Sequence, residues 1–523
     1  MEKPEMTDLF VIGGGVNGCG IARDAAGRGL SVTLAEQGDL AQGTSSASSK
    51  LFHGGLRYLE YLDFKLVREA LAERELLLKA MPHIAFPMRF VLPYDPEMRF
   101  EKGSPVSKWL GRVAPWWRGR RPAWLIRLGL FIYDHLGGKQ DLPRTQKLDL
   151  RKGKASRKQE SWGLKPRFRK GWEYSDAWVD DARLVVLNAR DAAARGAQVL
   201  TRTKVVAAQR QGDHWKIITE GPMGQVTHRA KALVNAAGPW VDAVMHGPLA
   251  RQGAGHVRLV RGAHIVTNRL FAHDRALFLQ APDGRIIFLL PFERDFTLIG
   301  TTEVAQATAP ETATCTEAER DYLIAFANHY LATPIIAKDV VWSFAGVRPL
   351  YEDGAASATA ATRDYVLALD GEGAPLLTIY GGKITTYRHL AQAAVDKLAP
   401  HFPAAKPAWT AGAALPGGDF GYGARALAER LRVRYRFLGE ARALRMAHAY
   451  GTDAFELLGT ATRAPDLGRD FGAGLTEAEL RWLMTREWAQ TVDDVLWRRT
   501  KLGLRMTDEQ VAALQAWMQQ TQH

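Results

Sequence analysis

The stretch Asp8-Leu-Phe-Val-Ile-Gly-Gly-Gly-Val-Asn-Gly18 constrains the fold of this chain more than any other. The apolar run 9–12 reads as a buried parallel strand. Gly13-x-Gly15-x-x-Gly18 follows it at once, 21–28 has a helical pattern, and 30–35 reads as a second strand ending at Glu36. In a strand–turn–helix unit of this kind each glycine has a separate task. The first permits the tight turn, the second lets the backbone approach a pyrophosphate at the helix N-terminus, and the third lets helix and strand pack closely. An acid at the end of the second strand, about 20 residues on, is placed to accept a ribose hydroxyl. Gly13, Gly15, Asn17, Gly18 and Glu36 are therefore candidates for holding a dinucleotide, and the alternative is a merely structural glycine turn.

The continuation narrows the choice of dinucleotide. A nicotinamide enzyme would proceed to another βαβ repeat. Here the chain runs Thr44-Ser-Ser-Ala-Ser-Ser-Lys-Leu-Phe-His-Gly-Gly-Leu-Arg-Tyr58. Hydroxyls and exposed amides at Thr44, Ser45, Ser46, Ser48 and Lys50 suit a cofactor that extends past its pyrophosphate; the competing reading is a flexible serine-rich loop.

From here on a resemblance is specific. The run from Gly13 to Tyr58 resembles flavoproteins of the D-amino-acid-oxidase type and, more closely, the aerobic FAD-dependent glycerol-3-phosphate dehydrogenases. Similar segments recur at Tyr174-Ser-Asp-Ala-Trp-Val-Asp-Asp-Ala-Arg183, Leu233-Val-Asn-Ala-Ala-Gly-Pro-Trp240, Ile299-Gly-Thr-Thr-Glu303, Gly346-Val-Arg-Pro-Leu350, Thr362-Arg-Asp-Tyr365 and Gly381-Gly-Lys-Ile-Thr-Thr-Tyr-Arg388. The resemblance implies an α/β fold: a Rossmann-like FAD-binding domain with an inserted antiparallel-sheet substrate domain, and an all-α C-terminal domain. It also implies FAD as cofactor and oxidation of sn-glycerol 3-phosphate to dihydroxyacetone phosphate. A glycerol-3-phosphate oxidase that gives its electrons to oxygen is the nearest alternative.

The pattern along the chain fits that organisation. Runs 258–267, 276–280, 285–291 and 295–300 alternate like antiparallel strands of a sheet over the flavin. Residues 376–380 end at Gly381-Gly382-Lys383 before a helix pattern at 385–398, a second strand, glycine turn and helix N-terminus suited to negative charge. Gly238, Gly382, Lys383 and Thr385 join the cofactor candidates. Residues 1–404 are expected to hold the FAD-binding domain and the interleaved substrate domain, with lid strands roughly at 256–340. The Pro-, Gly- and Ala-rich run 403–421 reads as a linker, and 405–523 as the helical domain. Thr476-x-x-Glu479 and Thr507-x-x-Gln510 have the spacing of capping boxes.

A phosphate monoester calls for a planar, cationic grip, and Arg matches phosphate oxygens with parallel hydrogen bonds. Arg57, Arg348, Arg363 and Lys383 each lie in a family-like motif, and Tyr58 adds a donor. Proton removal from the alcohol points to His53 or His264, whose unperturbed pKa suits the task, or to Lys383. Which of them takes the proton stays open. No metal site is expected, since Cys19 and Cys315 are too few and too far apart for a zinc site or a disulfide framework.

Charge is concentrated. The 523 residues carry a net +13, and 89–170 alone holds 21 Lys/Arg against 7 Asp/Glu. Between Lys102 and Tyr133 there is no acid, but seven basic residues and Trp109, Trp116, Trp117 and Trp124. Arginine beside tryptophan suits an anionic lipid surface, and the alternatives are a solvated basic loop or an RNA-binding patch. No signal peptide is visible, and the most apolar stretch, 124–136, is short and interrupted by Arg127. A cytoplasmic protein bound peripherally to the membrane is expected, with no nucleic acid and a homodimer allowed, and the resemblance implies a membrane quinone as partner. A flavin-containing RNA-binding protein is the reading from another class.

Overall fold

The computed structural model describes residues 6–100, 104–113, 120–138, 141–152, 162–252, 257–280, 285–309, 312–352 and 365–521. Two sheets organise them. The first contains parallel strands in the order Leu376–Tyr380, Gly224–Asn235, Met6–Ile12, Val32–Ala35 and Gln198–Leu200, with Val366–Asp370 antiparallel at one edge. Helix Val16–Gly27 covers this sheet and packs between helices Asp181–Ala194 and Tyr387–Leu398. Its core is aliphatic, with Leu9, Val11, Ile21, Leu34, Val234 and Leu377 all but excluded from solvent. Strand Gly224–Asn235 runs without a break. Its first half pairs antiparallel with His214–Gly221, and its second half runs parallel to Met6–Ile12. Period-2 alternation gives way to a continuous apolar run where the strand becomes buried on both faces.

The second sheet is the antiparallel one. Val257–Asn268, Ala276–Gln280, Ile286–Phe292 and Phe296–Gly300 fall where alternation placed them. The sheet is wider than that set. Ala85–Pro93 joins it by parallel pairing to Ala276–Gln280, Lys170–Val179 follows, and Val340–Tyr351 pairs with Val257–Asn268 along its whole length. This curled sheet faces the carboxyl ends of the parallel strands, where α/β sheets bind ligands.

The C-terminal residues form a helical unit with its own core around Leu427, Met446, Tyr450, Leu480, Leu483 and Leu514. The expected linker is not free. Lys406 N–H donates to Arg28 O (2.9 Å), Trp409 Nε1 to Asp24 O (3.1 Å), and Leu415 N–H to Ala80 O (2.9 Å). Arg23 and Arg195 lie over the Trp409 ring. Composition reports the absence of regular structure in this segment, and the packing makes it a strap. The box expected at Thr507 forms, with Thr507 N–H to Gln510 Oε1 at 3.1 Å. At Thr476 it does not: Glu479 is turned inward to Arg445 (2.6 and 2.7 Å) and Tyr450 (2.7 Å). A full box closes the start of helix Glu317–Tyr330 instead, at Thr316 and Glu319.

Helices Pro105–Val113 and Ala123–Leu136 carry the Trp- and Arg-rich region. The second has two unlike faces. Ile126, Leu130 and Tyr133 point into the protein, whereas Trp124, Leu128 and Phe131, at the same i, i+4, i+7 spacing, are about half exposed beside exposed Arg127. Trp109 on the first helix is likewise exposed, between exposed Lys108 and Arg112. Trp116 and Trp117 lie outside the described residues. Arg121, expected on this surface, is buried against Glu60 and over the Phe100 ring. Burial and the nearby Arg57 push its guanidinium down to about 9. Among the described residues no helix is long and apolar enough to cross a membrane.

Buried ion pairs tie the helical unit to the parallel-sheet domain. Arg499 grips Asp39 through two bonds (2.6 and 2.8 Å), and Arg183 on helix Asp181–Ala194 pairs with Glu487, all four side chains being essentially inaccessible. Removing one member of such a pair leaves an uncompensated buried charge. Glu487→Ala is therefore expected to destabilise the first unfolding transition by about 3–5 kcal/mol, and the double change Arg183→Met, Glu487→Ala to recover most of that loss. Denaturant melts of the three proteins decide it; a single variant as stable as the parent would show that the pair does not anchor the unit.

Candidate active site

The glycine turn is fixed by contacts that leave no room for side chains. Gly13 has φ +109°, and a Cβ there would sit 2.6 Å from Ala236 O. At Gly18 a Cβ would lie 1.9 Å from Gly13 O, so the third glycine is demanded by the approach of the helix to its own turn. Helix Val16–Gly27 begins after Gly15 with no side-chain cap and no acid in its first turn, which leaves its N-terminus electropositive. Val16 N–H donates to Ser45 Oγ (3.0 Å), joining the turn to the hydroxyl-rich loop. Glu36 accepts from Gly14 N–H (2.6 Å) on one oxygen and Gly38 N–H (2.8 Å) on the other; burial nevertheless holds its carboxyl above the ordinary range. Asn17 donates from Nδ2 to Gly381 O (3.2 Å), while its Oδ1 is buried with no partner among the described residues. A side-chain-free turn at a helix N-terminus and an orphan acceptor beside Gly381 fit a dinucleotide that passes from the first glycine turn to the second.

Beyond Val16 and Ser45 a cavity of about 310 Å³ opens between the two sheets, within the range of small-molecule sites. Thr44, Ser45 and Ser48 line its entrance from the hydroxyl loop, and His53, Arg57 and Tyr58 come from the following turn. Gly382, Lys383 and Thr385 close it from the second glycine turn, and His264 and Arg348 from the antiparallel sheet. Four segments far apart in sequence thus meet at one site. Gly55, at φ +74°, lets the Tyr58 ring fold back against the turn. Lys383 Nζ then lies 4.0 Å from the centre of that ring. Thr385 Oγ1 accepts from His53 N–H (3.3 Å), so the first and second turns are bonded to each other. Arg348 is half-buried, with Nη1 3.5 Å from Glu303 Oε1.

His264 is buried, stacked on Phe344 (4.9 Å, 13°), with Nε2 2.9 Å from Ser49 Oγ. Burial, reinforced by Arg348 and Lys50, holds it well below the ordinary histidine range, so the ring is neutral. Its register partner across the sheet is Gly300, where a Cβ would lie 2.0 Å from the imidazole.

Other expected residues are placed differently. Lys50 does not reach the cavity. Its ammonium is fully buried, 2.6 Å from Asp181 Oδ1 and 3.0 Å from Ser46 O, because an acid on the neighbouring helix satisfies it there. Ser46 contributes that carbonyl and does not line the cavity, and neither does Gly238, which opens a short turn at φ +57° after strand Gly224–Asn235. Gly13, Gly15, Asn17, Gly18 and Glu36 lie around the first glycine turn and do not line the cavity. Arg363 lies outside the described residues.

Sequence reasoning missed Ser49, Glu303 and, above all, Asp176. Asp176 lines the cavity wall and is held by Tyr133 OH (2.8 and 2.9 Å) and Arg74 Nη1 (2.7 Å), with Gly54 N–H donating to the tyrosine oxygen (2.7 Å). Burial pushes its carboxyl up to about 6 against the opposing pull of Arg74 and Tyr133. A signal existed. Arg74 continues the spacing of Leu66 and Ala70 on the apolar stripe of helix Phe64–Ala80, and a cation on such a stripe needs a buried anion.

Comparison with known proteins agrees with this geometry. Residues 8–388 match the family described as FAD dependent oxidoreductase, and 408–522 match the C-terminal domain of alpha-glycerophosphate oxidase. The chain is 47% identical to D-erythritol 1-phosphate dehydrogenase of Brucella abortus (strain 2308), covering 99% of this chain and 98% of that one. It is 45% identical to aerobic glycerol-3-phosphate dehydrogenase of Escherichia coli (strain K12), covering 98% and 97%. The structure of glycerol-3-phosphate dehydrogenase from Bacillus halodurans complexed with FAD superposes with a TM-score of 0.71 at 26% identity, over 99% of this chain and 94% of that one. The glycine turn, the facing sheets and these matches lead to one conclusion: the chain belongs to the FAD-dependent oxidoreductase family and is an FAD-dependent enzyme.

Proposed function

We propose that the enzyme oxidises sn-glycerol 3-phosphate to dihydroxyacetone phosphate and passes the electrons to a membrane quinone. The observation that carries this reading is the convergence of Arg57, Arg348 and Lys383 on one cavity whose walls include Phe90, Tyr174, Phe278 and Phe288 alongside Asp176 and Glu303. Cations on three separate elements around a largely apolar chamber call for a small, doubly charged anion. The names of the Escherichia coli and Bacillus halodurans relatives support the substrate.

When bound, FAD supplies the hydride acceptor. The protein's part is to grip, orient and deprotonate. Arg348 offers a planar fork to phosphate oxygens, and Glu303 restrains it. Lys383, seated on Tyr58, adds a point charge from the opposite wall. We assign the alcohol proton to His53, half-buried on the turn that also carries Arg57. His264 is kept neutral and aimed at Ser49, which makes it a weak base, and we assign it to positioning.

The spectrum of the FAD-loaded enzyme tests the reading directly. Anaerobic addition of sn-glycerol 3-phosphate is expected to bleach the flavin band; a flavin that stays oxidised would remove the function and keep the fold. A second reading, a four-carbon polyol phosphate as substrate, is favoured by the Brucella abortus relative. Bleaching by D-erythritol 1-phosphate alone would establish it. For either substrate, Arg348→Ala should raise KM by roughly 30-fold or more, about 2 kcal/mol, since truncating one partner of a charged pair commonly costs that much. His53→Gln should lower kcat by about 10²–10⁴-fold with less effect on KM. Normal turnover in the histidine variant would move the base elsewhere.

The quinone reading and a cytoplasmic, peripherally membrane-bound location are supported by the outward face of helix Ala123–Leu136. Its aromatic ridge beside Arg127 matches a headgroup layer, and each cation near anionic lipid adds on the order of 1 kcal/mol. Replacing Trp109, Trp124 and Phe131 together by serine should release the protein from vesicles containing anionic phospholipid, with dye-linked turnover unchanged. Undiminished sedimentation with vesicles would place the contact elsewhere, with exposed Leu62 and Phe64 next to be tested.

A further inference from the structure

We infer that Tyr133 is a positioning residue for the substrate turn, and that Tyr133, Asp176 and Arg74 form one unit that sets where His53, Arg57 and Tyr58 stand. None of the three lies on that turn. Tyr133 comes from helix Ala123–Leu136, Asp176 from strand Lys170–Val179, and Arg74 from helix Phe64–Ala80.

The turn brings His53, Arg57 and Tyr58 to the cavity. It runs from Leu51–Phe52 through two glycines into the short helix Leu56–Tyr61, with Gly55 in the left-handed region. At its centre, Gly54 N–H donates to Tyr133 OH at 2.7 Å. The contact is built for that hydroxyl. A Cβ on Gly54 would lie 2.8 Å from the phenol oxygen and 2.6 Å from a Leu71 methyl, so glycine is the residue that lets the amide reach it. The hydroxyl proton goes to Asp176, whose carboxylate spans both bonds to Tyr133 and a third to Arg74. Arg74 is inaccessible to solvent and is held besides by Ser175 O (3.1 Å) and Glu75 (2.9 Å). The Tyr133 ring is buried and packs edge-on against Tyr174.

Each bond in this series is directional, and each group is shielded from water. A buried amide that loses its acceptor is left with its hydrogen bond unmet, which is ample to loosen a turn. Because Asp176 also lines the cavity, the unit braces the turn from the side that the substrate occupies. Arg57 and Tyr58 follow Gly54 by three and four residues, so a displacement at Gly54 reaches both the phosphate grip and the Tyr58–Lys383 contact.

Tyr133→Phe in the FAD-loaded enzyme tests this with two readouts. Amide exchange in the peptide spanning 53–58, measured without substrate, should accelerate at least tenfold, while helix Phe64–Ala80 keeps its protection. KM for the phosphate substrate should rise about tenfold, equivalent to 1.4 kcal/mol, with a smaller change in kcat. The kinetic arm rests on the substrate reading given above, and the exchange arm does not. A wild type that fails to turn over would sink only that reading. A protein whose only defect is lower stability would show neither change well below its melting temperature. Parental exchange at 53–58 together with parental KM would overturn the proposal. Should Tyr133→Phe not accumulate as folded protein, Asp176→Asn carries the same test, since it keeps an acceptor for the tyrosine and removes the charge. Faster exchange at 53–58 supports the unit, and unchanged exchange overturns it. The double variant should be no worse than the worse single one; full additivity would show that the two side chains act separately.

Discussion

A fully buried ion pair, Lys50 with Asp181, holds the segment on which every function of the cavity depends. Thr44, Ser45, Ser48 and Ser49 precede it and His53, Arg57 and Tyr58 follow it, and all of them line the cavity. Two charges out of water are costly unless their remaining hydrogen-bonding capacity is met. Here it is met: Lys50 Nζ reaches Ser46 O, Asp181 accepts from Ser48 N–H and Oγ, and Ser48 Oγ accepts from Lys50 N–H. The lysine therefore pins a loop of small polar residues, which would otherwise be mobile, to the N-terminus of a helix in the first domain. The pair joins the two halves of the site at fixed spacing, and this is a positional role more than a contribution to net stability.

Much of the fold was legible because its signals are local. The glycine turn, the alternating strands of the lid and the helical periodicity after 424 are all read within windows of a dozen residues, and each stands where it was read. The site was legible through motifs, and Thr44, His53, Arg57, Tyr58, His264, Arg348 and Lys383 do meet. Orientation was not legible: the side chains of Lys50, a cofactor candidate, and Arg121, in the basic stretch, both turn inward. Their acids, Asp181 and Glu60, lie 131 and 61 residues away in sequence. A charge count along the chain cannot register such a partner. Residues 403–421 were misread for a related reason, since Trp409 finds its seat on a helix that begins near residue 16.

The electrostatics of the molecule divide into two kinds. Between the helical unit and the parallel-sheet domain, Arg183, Arg499 and Lys501 pair with Glu487, Asp39 and Asp180, and Arg498 shares Asp39. The cavity brings Arg57, Arg348 and Lys383 together with Glu303, 3.5 Å from Arg348, and with Asp176, which Arg74 holds. Matched pairs hold domains together. Cations on three elements of one cavity suit an anionic ligand, and the neutral His264 among them adds no further charge.

Helix Ala123–Leu136 has a consequence for how sequences of this kind can diverge. Each residue advances a helix by about 100 degrees. Shifting the helix by a single residue would swing Tyr133 away from Gly54 and bring the outer aromatic ridge toward the core. Deletion of one residue inside the helix would therefore break the inner contacts and expose core side chains at once, and the hydroxyl on the inner face registers the loss first.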